Sequence, residues 1–173
     1  MLALLVLGGC GEANPAPDGS HPDAPAAGLQ LAPFSRQGAP FEPLATGSTL
    51  PFFSGFQGFR LFDLQVRAPA SLAATSPVPF TLAVVLVDAG LGPFTQSGDL
   101  PFSLPPSNGT RDSDRYVMYL NEVTELQLEG ASCRVTATLG PGPAPSTAEV
   151  TVRLYHSSCV DYGDHVVCPD AGP

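Results

Sequence analysis

Lysine, isoleucine and tryptophan are absent from the 173-residue chain, and all seven basic residues are arginine. The arginines are scattered between Arg36 and Arg153, and 16 acidic residues outnumber them. No run of positive charge therefore exists that would neutralise the phosphates of a nucleic acid. We expect an acidic surface and no nucleic-acid partner.

Sequence patterns typical of helices and of common enzymes are also lacking. The chain contains 20 prolines and 18 glycines, which interrupt helices, and no segment has a convincing apolar period of 3.6 residues. It has no Gly-x-Ser-x-Gly nucleophile elbow, no His-Glu-x-x-His and no Gly-rich phosphate loop ending in Lys. These absences argue against a helical bundle and favour a non-catalytic role, and we predict no cofactor.

Apolar and polar residues alternate in several short segments, which is typical of strands with one buried face. The clearest segments are 60–67, 80–87, 133–139 and 148–155, of which 80–87 is apolar on both faces towards its end, as expected for a central strand. Weaker segments are 29–32, 116–120 and 123–128. The Pro-rich stretch 140–145 cannot continue a strand, so the third and fourth segments are predicted to form a hairpin. We predict an all-β fold over residues 29–168, a two-sheet antiparallel sandwich. The arrangement resembles an immunoglobulin-like or fibronectin-like module without the characteristic Trp and Cys spacing, and this resemblance implies architecture alone.

The N-terminus contains a short apolar run, Leu2 to Leu7, followed by Gly8, Gly9 and Cys10. The run is too short to cross a bilayer. Leu7-Gly8-Gly9-Cys10 resembles the lipobox of bacterial lipoproteins, in which the cysteine is acylated after cleavage. This resemblance implies that residues 1–9 are a signal peptide, truncated at its start because no basic residue precedes the run. It also implies a cell-envelope protein anchored to a membrane through Cys10, at the outer membrane in a Gram-negative cell.

Residues 10–28 contain four prolines and almost no large apolar side chain, so they cannot form a core. Closely spaced prolines favour an extended chain. We predict a disordered tether between the lipid anchor and the folded domain, and a short tail at residues 169–173.

Three cysteines remain if Cys10 is acylated, which is an odd number for an oxidising compartment. Cys133 shares the parity of the inward-facing apolar residues in its segment. Cys159 and Cys168 are close in sequence and separated by a turn-like stretch. We favour a Cys159–Cys168 disulfide with Cys133 as a buried thiol, and the alternative pairs Cys133 with either of the others.

Two clusters are candidate sites. His156, Asp161 and His165 are close in sequence and could bind a metal or support a small enzyme site, although a solvated hairpin tip explains them as well. Phe52, Phe53 and Phe56 could form an exposed aromatic patch for an envelope protein or glycan, although core burial is the more frequent use of phenylalanine. We predict a binding or structural module at the envelope, with a small envelope enzyme or metal carrier as the alternative.

Overall fold

The computed structural model describes residues 28–34, 40–55, 57–103, 109–140, 145–161 and 166–167. In these ranges the elements are β1 Gln30–Pro33, β2 Thr49–Gly55, β3 Arg60–Pro69, β4 Val78–Leu86, β5 Leu91–Leu100, β6 Thr110–Asp112, β7 Tyr116–Tyr119, α1 Glu125–Leu128, β8 Ser132–Leu139, β9 Ser146–Asp161 and β10 Val166–Val167. The signal peptide, Cys10 and almost all of the tether lie outside these ranges, as does the C-terminal tail, and they stay predictions.

The fold is all-β, as the alternation predicts. The four clearest segments correspond to β3, β4, β8 and β9, and two of the weaker ones correspond to β1 and β7. β8 and β9 pair antiparallel from Ser132 opposite Arg153 to Leu139 opposite Ser146, which confirms the predicted hairpin.

The strands form a mixed sheet in the order β1-β3-β2-β9-β8-β4-β5. β6 and β7 also pair with β3, and β10 pairs with β9. β2 runs parallel to β9, from Thr49 opposite Arg153 to Gly55 opposite Asp161. The prediction of a wholly antiparallel arrangement is therefore wrong at this pair. A parallel pair joins segments that are far apart in sequence, so no turn motif between them predicts the pairing.

One hydrophobic core is shared by the central strands. Every second residue is buried in β4, from Val78 to Leu86, and in β8, from Cys133 to Leu139. The corresponding side of β3, from Phe62 to Ala68, belongs to the same core. The opposite face of β8 is polar, with Arg134, Thr136 and Thr138, whereas that of β4 is mostly apolar.

The segment 123–128 does not form the predicted strand, because residues 125–128 form the short helix α1. Gln127 Oε1 accepts hydrogen bonds from the backbone N–H and the hydroxyl of Thr124, at 3.0 and 2.8 Å. A Thr followed three residues later by Gln is a helix-start pattern. Leu128 is fully buried, whereas Leu126 is 89% exposed. Among the residues that the structure describes, no helix is long and apolar enough to cross a membrane.

Candidate functional site

The candidate site lies where β2 ends beside an irregular part of β9. Phe52 is opposite His156, but Ser54 is opposite Val160, so two steps along β2 match four along β9. Extra residues in one strand form a bulge, which re-aims side chains and is frequent beside functional sites. The irregularity brings His156 next to Ser54.

Three side chains form a chain of polar contacts across this bulge. The hydroxyl Oγ of Ser54 lies 3.3 Å from Nε2 of His156. Nδ1 of the same ring lies 3.5 Å from Oε1 of Glu125. An ionised carboxylate only accepts hydrogen bonds, so this neighbour favours the proton on Nδ1 and leaves the Nε2 lone pair facing Ser54.

The backbone of His156 is also held by α1. Its N–H donates to Oε2 of Glu129 at 2.6 Å. Glu125 is the first residue of α1, and Glu129 is its C-terminal capping residue, so the two carboxylates contact the ring and the backbone of one histidine. The His156 side chain is 33% exposed, and that of Glu125 is 48% exposed, so solvent and small molecules can reach the site.

Phe52 and Arg60 complete the surroundings. The ring of Phe52 is fully buried, and its centroid lies 5.2 Å from that of His156. Arg60 of β3 is the cross-strand partner of Ser54. Cross-strand partners lie on one face of the sheet with Cβ atoms about 5 Å apart. Arg60 donates from Nη1 to the carbonyl of Gly58 at 2.8 Å, while its buried Nε has no hydrogen-bond partner.

Of the three residues predicted as a metal or enzyme cluster, His156 is at this site. The side chain of Asp161 and the whole of His165 lie outside the described residues, so their part in a cluster stays a prediction. Within the described part of the chain, no three His, Cys, Asp or Glu side chains are grouped as metal ligands would be.

Sequence reasoning missed Ser54, Glu125, Glu129 and Arg60. Ser54 is 102 residues from His156, and only the parallel pairing of β2 with β9 brings them together. A local signal existed for the glutamates alone, because the Thr124 to Gln127 capping pattern marks the helix that carries them.

The phenylalanine-rich segment is mostly core. Phe52 is 0% exposed and Phe53 is 6% exposed, so the expected exposed patch is wrong for these two residues and core burial is confirmed. Phe56 lies outside the described residues. Phe59 and Tyr119 are instead partly exposed, and their rings meet edge to face with centroids 6.2 Å apart.

Cys133 is a free thiol in the core, as its parity predicts. Desolvation raises the pKa of this thiol to about 12. The alternative in which Cys133 pairs with another cysteine is therefore wrong.

Val160 of β9 is opposite Val167 of β10, and in sequence these residues adjoin Cys159 and Cys168. Cys168 itself lies outside the described residues, so the Cys159–Cys168 disulfide stays a prediction.

No protein-family model and no curated protein sequence matches the chain.

Proposed function

We propose that the protein is a bacterial envelope lipoprotein, anchored to a membrane through acyl chains on Cys10. The observation that carries this proposal is the Leu7-Gly8-Gly9-Cys10 motif, followed at once by a Pro-rich stretch. Each buried CH₂ of an acyl chain contributes about 0.8 kcal/mol, so two or three chains hold a protein stably. β1 begins at Gln30, two residues beyond the proposed tether, and this start supports a role for residues 10–28 as a spacer.

Metabolic labelling with an alkynyl fatty acid tests the anchor. The protein, expressed in a bacterium from a gene that restores a basic start to the signal peptide ahead of Leu2, should incorporate the label and fractionate with membranes. Cys10→Ser should lose the label and appear in the aqueous fraction. Cys133→Ala is the matched control, because it removes a buried thiol and should retain the label. An unlabelled wild-type protein, or a labelled Cys10→Ser variant, would contradict the proposal.

For the architecture we propose that the strands are arranged as two packed layers, an immunoglobulin-like or fibronectin-like sandwich. Two contacts between strands that do not pair with each other support it. The rings of Phe80 in β4 and Tyr116 in β7 meet edge to face, with centroids 4.8 Å apart. Gln96 of β5 donates from Nε2 to the carbonyl of Val117 in β7 at 3.0 Å. A double-mutant cycle of Phe80→Leu and Tyr116→Leu should give a coupling of about 0.5 to 1.5 kcal/mol if the layers pack in this way.

For the folded domain the two candidate functions are a binding or structural module, with an envelope protein or glycan as ligand, and a small enzyme or metal carrier. The contact chain Ser54–His156–Glu125 favours the enzyme, because it links a hydroxyl, an imidazole and a carboxylate in the order that activates a nucleophile. Elemental analysis of the purified full-length protein tests the metal carrier. A stoichiometric metal that is lost in His156→Gln would favour the carrier over the enzyme.

A further inference from the structure

We propose that Ser54 is the nucleophile of a carboxylic-ester hydrolase site, with His156 as general base and Glu125 as the residue that orients it. The inference depends on the enzyme candidate above, and it names the reaction and the residues. It is based on the order of atoms from Ser54 Oγ to His156 Nε2, at 3.3 Å, and from His156 Nδ1 to Glu125 Oε1, at 3.5 Å. A nucleophile in contact with a base that a third group orients is the general arrangement of acyl-transfer enzymes.

The contacts of His156 determine which nitrogen acts. Glu125 faces Nδ1, which favours the neutral tautomer with its proton on Nδ1 and so leaves Nε2 as the acceptor in this scheme. Glu129 accepts from the backbone N–H of the same residue, which fixes the position of the strand from which the ring projects. Glu125 and Glu129 touch neither Ser54 nor a substrate in this scheme, and they are positioning residues.

The reaction proceeds in two balanced steps. Ser54 Oγ forms a bond to the ester carbonyl carbon while its proton passes to His156 Nε2. The bond from that carbon to the alkoxy oxygen then breaks, and the alcohol leaves with the proton from Nε2. Water next attacks the acyl-serine and gives a proton to Nε2. The carboxylic acid leaves, and Ser54 Oγ recovers the proton, so no oxidant, reductant or metal is required.

Arg60 is placed to stabilise the negative charge that forms on the carbonyl oxygen. It is directly across the strand pair from Ser54, and its guanidinium donates from Nη1 to the carbonyl of Gly58 at 2.8 Å. A cation beside a developing oxyanion lowers the barrier most where water is excluded. The fully buried ring of Phe52 excludes water from the inner side of the imidazole. The substrate class is therefore an ester whose carbonyl reaches the end of β2 with its oxygen toward Arg60.

Covalent labelling with a fluorophosphonate, which reacts with activated serines, tests the proposal on the full-length protein. We expect one adduct per chain, found on the peptide that contains Ser54 by mass spectrometry, and none on Ser54→Ala. His156→Gln should lower the labelling rate by about 100-fold or more, which is typical for loss of a general base. Ser97→Ala is the matched control, because Ser97 lies on β5 and its hydroxyl shares a hydrogen bond with that of Thr81. This variant should react with the fluorophosphonate as the wild type does.

Hydrolysis of p-nitrophenyl acetate separates catalysis from a structural effect. Glu125→Gln should lower kcat while KM changes little, because Glu125 orients the base and does not contact the ester. Thermal unfolding of each variant shows whether it is folded. No adduct on the folded wild type, an adduct elsewhere, or equal labelling of folded His156→Gln would overturn the proposal. Each of these outcomes leaves the Cys10 anchor untouched, because fatty-acid labelling measures that separately.

Discussion

Asp63 and Arg115 form an ion pair with 2.8 Å between Oδ2 and Nη2, although the side chain of Asp63 is 1% exposed and that of Arg115 is 15% exposed. Asp63 lies in β3 between the buried residues Phe62 and Leu64, so its carboxylate is inside the protein on the side of β3 opposite the main core. A buried charge is tolerated only where partners compensate its lost hydration.

Replacing one member of this pair should therefore destabilise the fold. We expect Arg115→Met to lower the free energy of unfolding by about 3 kcal/mol, because it removes a charged partner of a buried carboxylate. Arg134→Met is the control, since Arg134 is exposed on β8 and should change stability little. Urea denaturation measures the free energy of unfolding of both variants. An equal loss in the two would show that the ion pair of Asp63 with Arg115 does not stabilise the fold.

The two leucines of α1 provide a matched test of burial. Leu128 is fully buried, whereas Leu126 is 89% exposed. Leu128→Ala should cost about 2 to 5 kcal/mol through lost burial and the cavity it leaves. Leu126→Ala should change stability by less than about 0.5 kcal/mol. A large loss for Leu126→Ala in thermal unfolding would mean that this side chain is covered in solution.

Gly92 has a backbone conformation that only glycine adopts easily. Its φ is +106°, and a Cβ there would lie 2.6 Å from the carbonyl oxygen of Val84. Gly92→Ala should therefore destabilise the protein by about 2 kcal/mol, through left-handed strain and this collision. Gly98 is the matched position in the same strand, because a Cβ there meets nothing within 4 Å. We expect Gly98→Ala to leave the free energy of unfolding in urea nearly unchanged. An equal loss of stability in the two variants would contradict the prediction.

The buried thiol of Cys133 predicts a loss of stability in alkali. Its pKa is raised from 9.0 to about 12 by desolvation, so the folded state keeps a proton that the unfolded state releases. The stabilising effect is complete below pH 9 and is lost as the pH rises towards 12. The free energy of unfolding should fall by up to about 1.4 kcal/mol per pH unit from this group. The slope should be smaller for Cys133→Ala, and an unchanged slope would contradict the assignment.

The C-terminal disulfide can be tested by peptide mapping under non-reducing conditions. We expect a peptide linking Cys159 to Cys168, because Val160 and Val167 are opposite each other in β9 and β10. Cys133 should react with iodoacetamide only after denaturation. A peptide that links Cys133 to another cysteine would be incompatible with its position in the core.

Four of the strands that the sequence predicts have one face in the core. Apolar residues occupy every second position in β4 and β8, in β3 from Phe62 to Ala68 and in β9 from Ala148 to Leu154, because alternate side chains point to opposite faces. β5 has no such pattern, since it is the last strand of the sheet and most of its positions are exposed. In the sequence, Pro93 and the glycines of β5 are typical of turns. They lie within a strand in the structure because an edge strand tolerates proline.

The candidate site was predictable only at His156. Ser54 lies opposite Arg60 through the pairing of β2 with β3, and it lies beside His156 through the pairing of β2 with β9. Sequence periodicity describes which way a side chain faces within its own strand. It contains no information about which strand lies alongside, so Ser54 has no local feature that distinguishes it from other serines.

The position of β2 between β3 and β9 has a consequence for the order of folding. Thr49 is opposite Arg153, so the parallel pair closes a loop of about 100 residues, which is slow to form. A chain that leaves the ribosome from its N-terminus presents β2 and then β3 long before β9, the parallel partner of β2, has emerged. The apolar side chains of Leu50 and Phe52 are then uncovered during that interval. The β2–β9 pair should therefore be among the last contacts to form, and Leu50 and Phe52 are the side chains that a chaperone specific for apolar segments would bind before then.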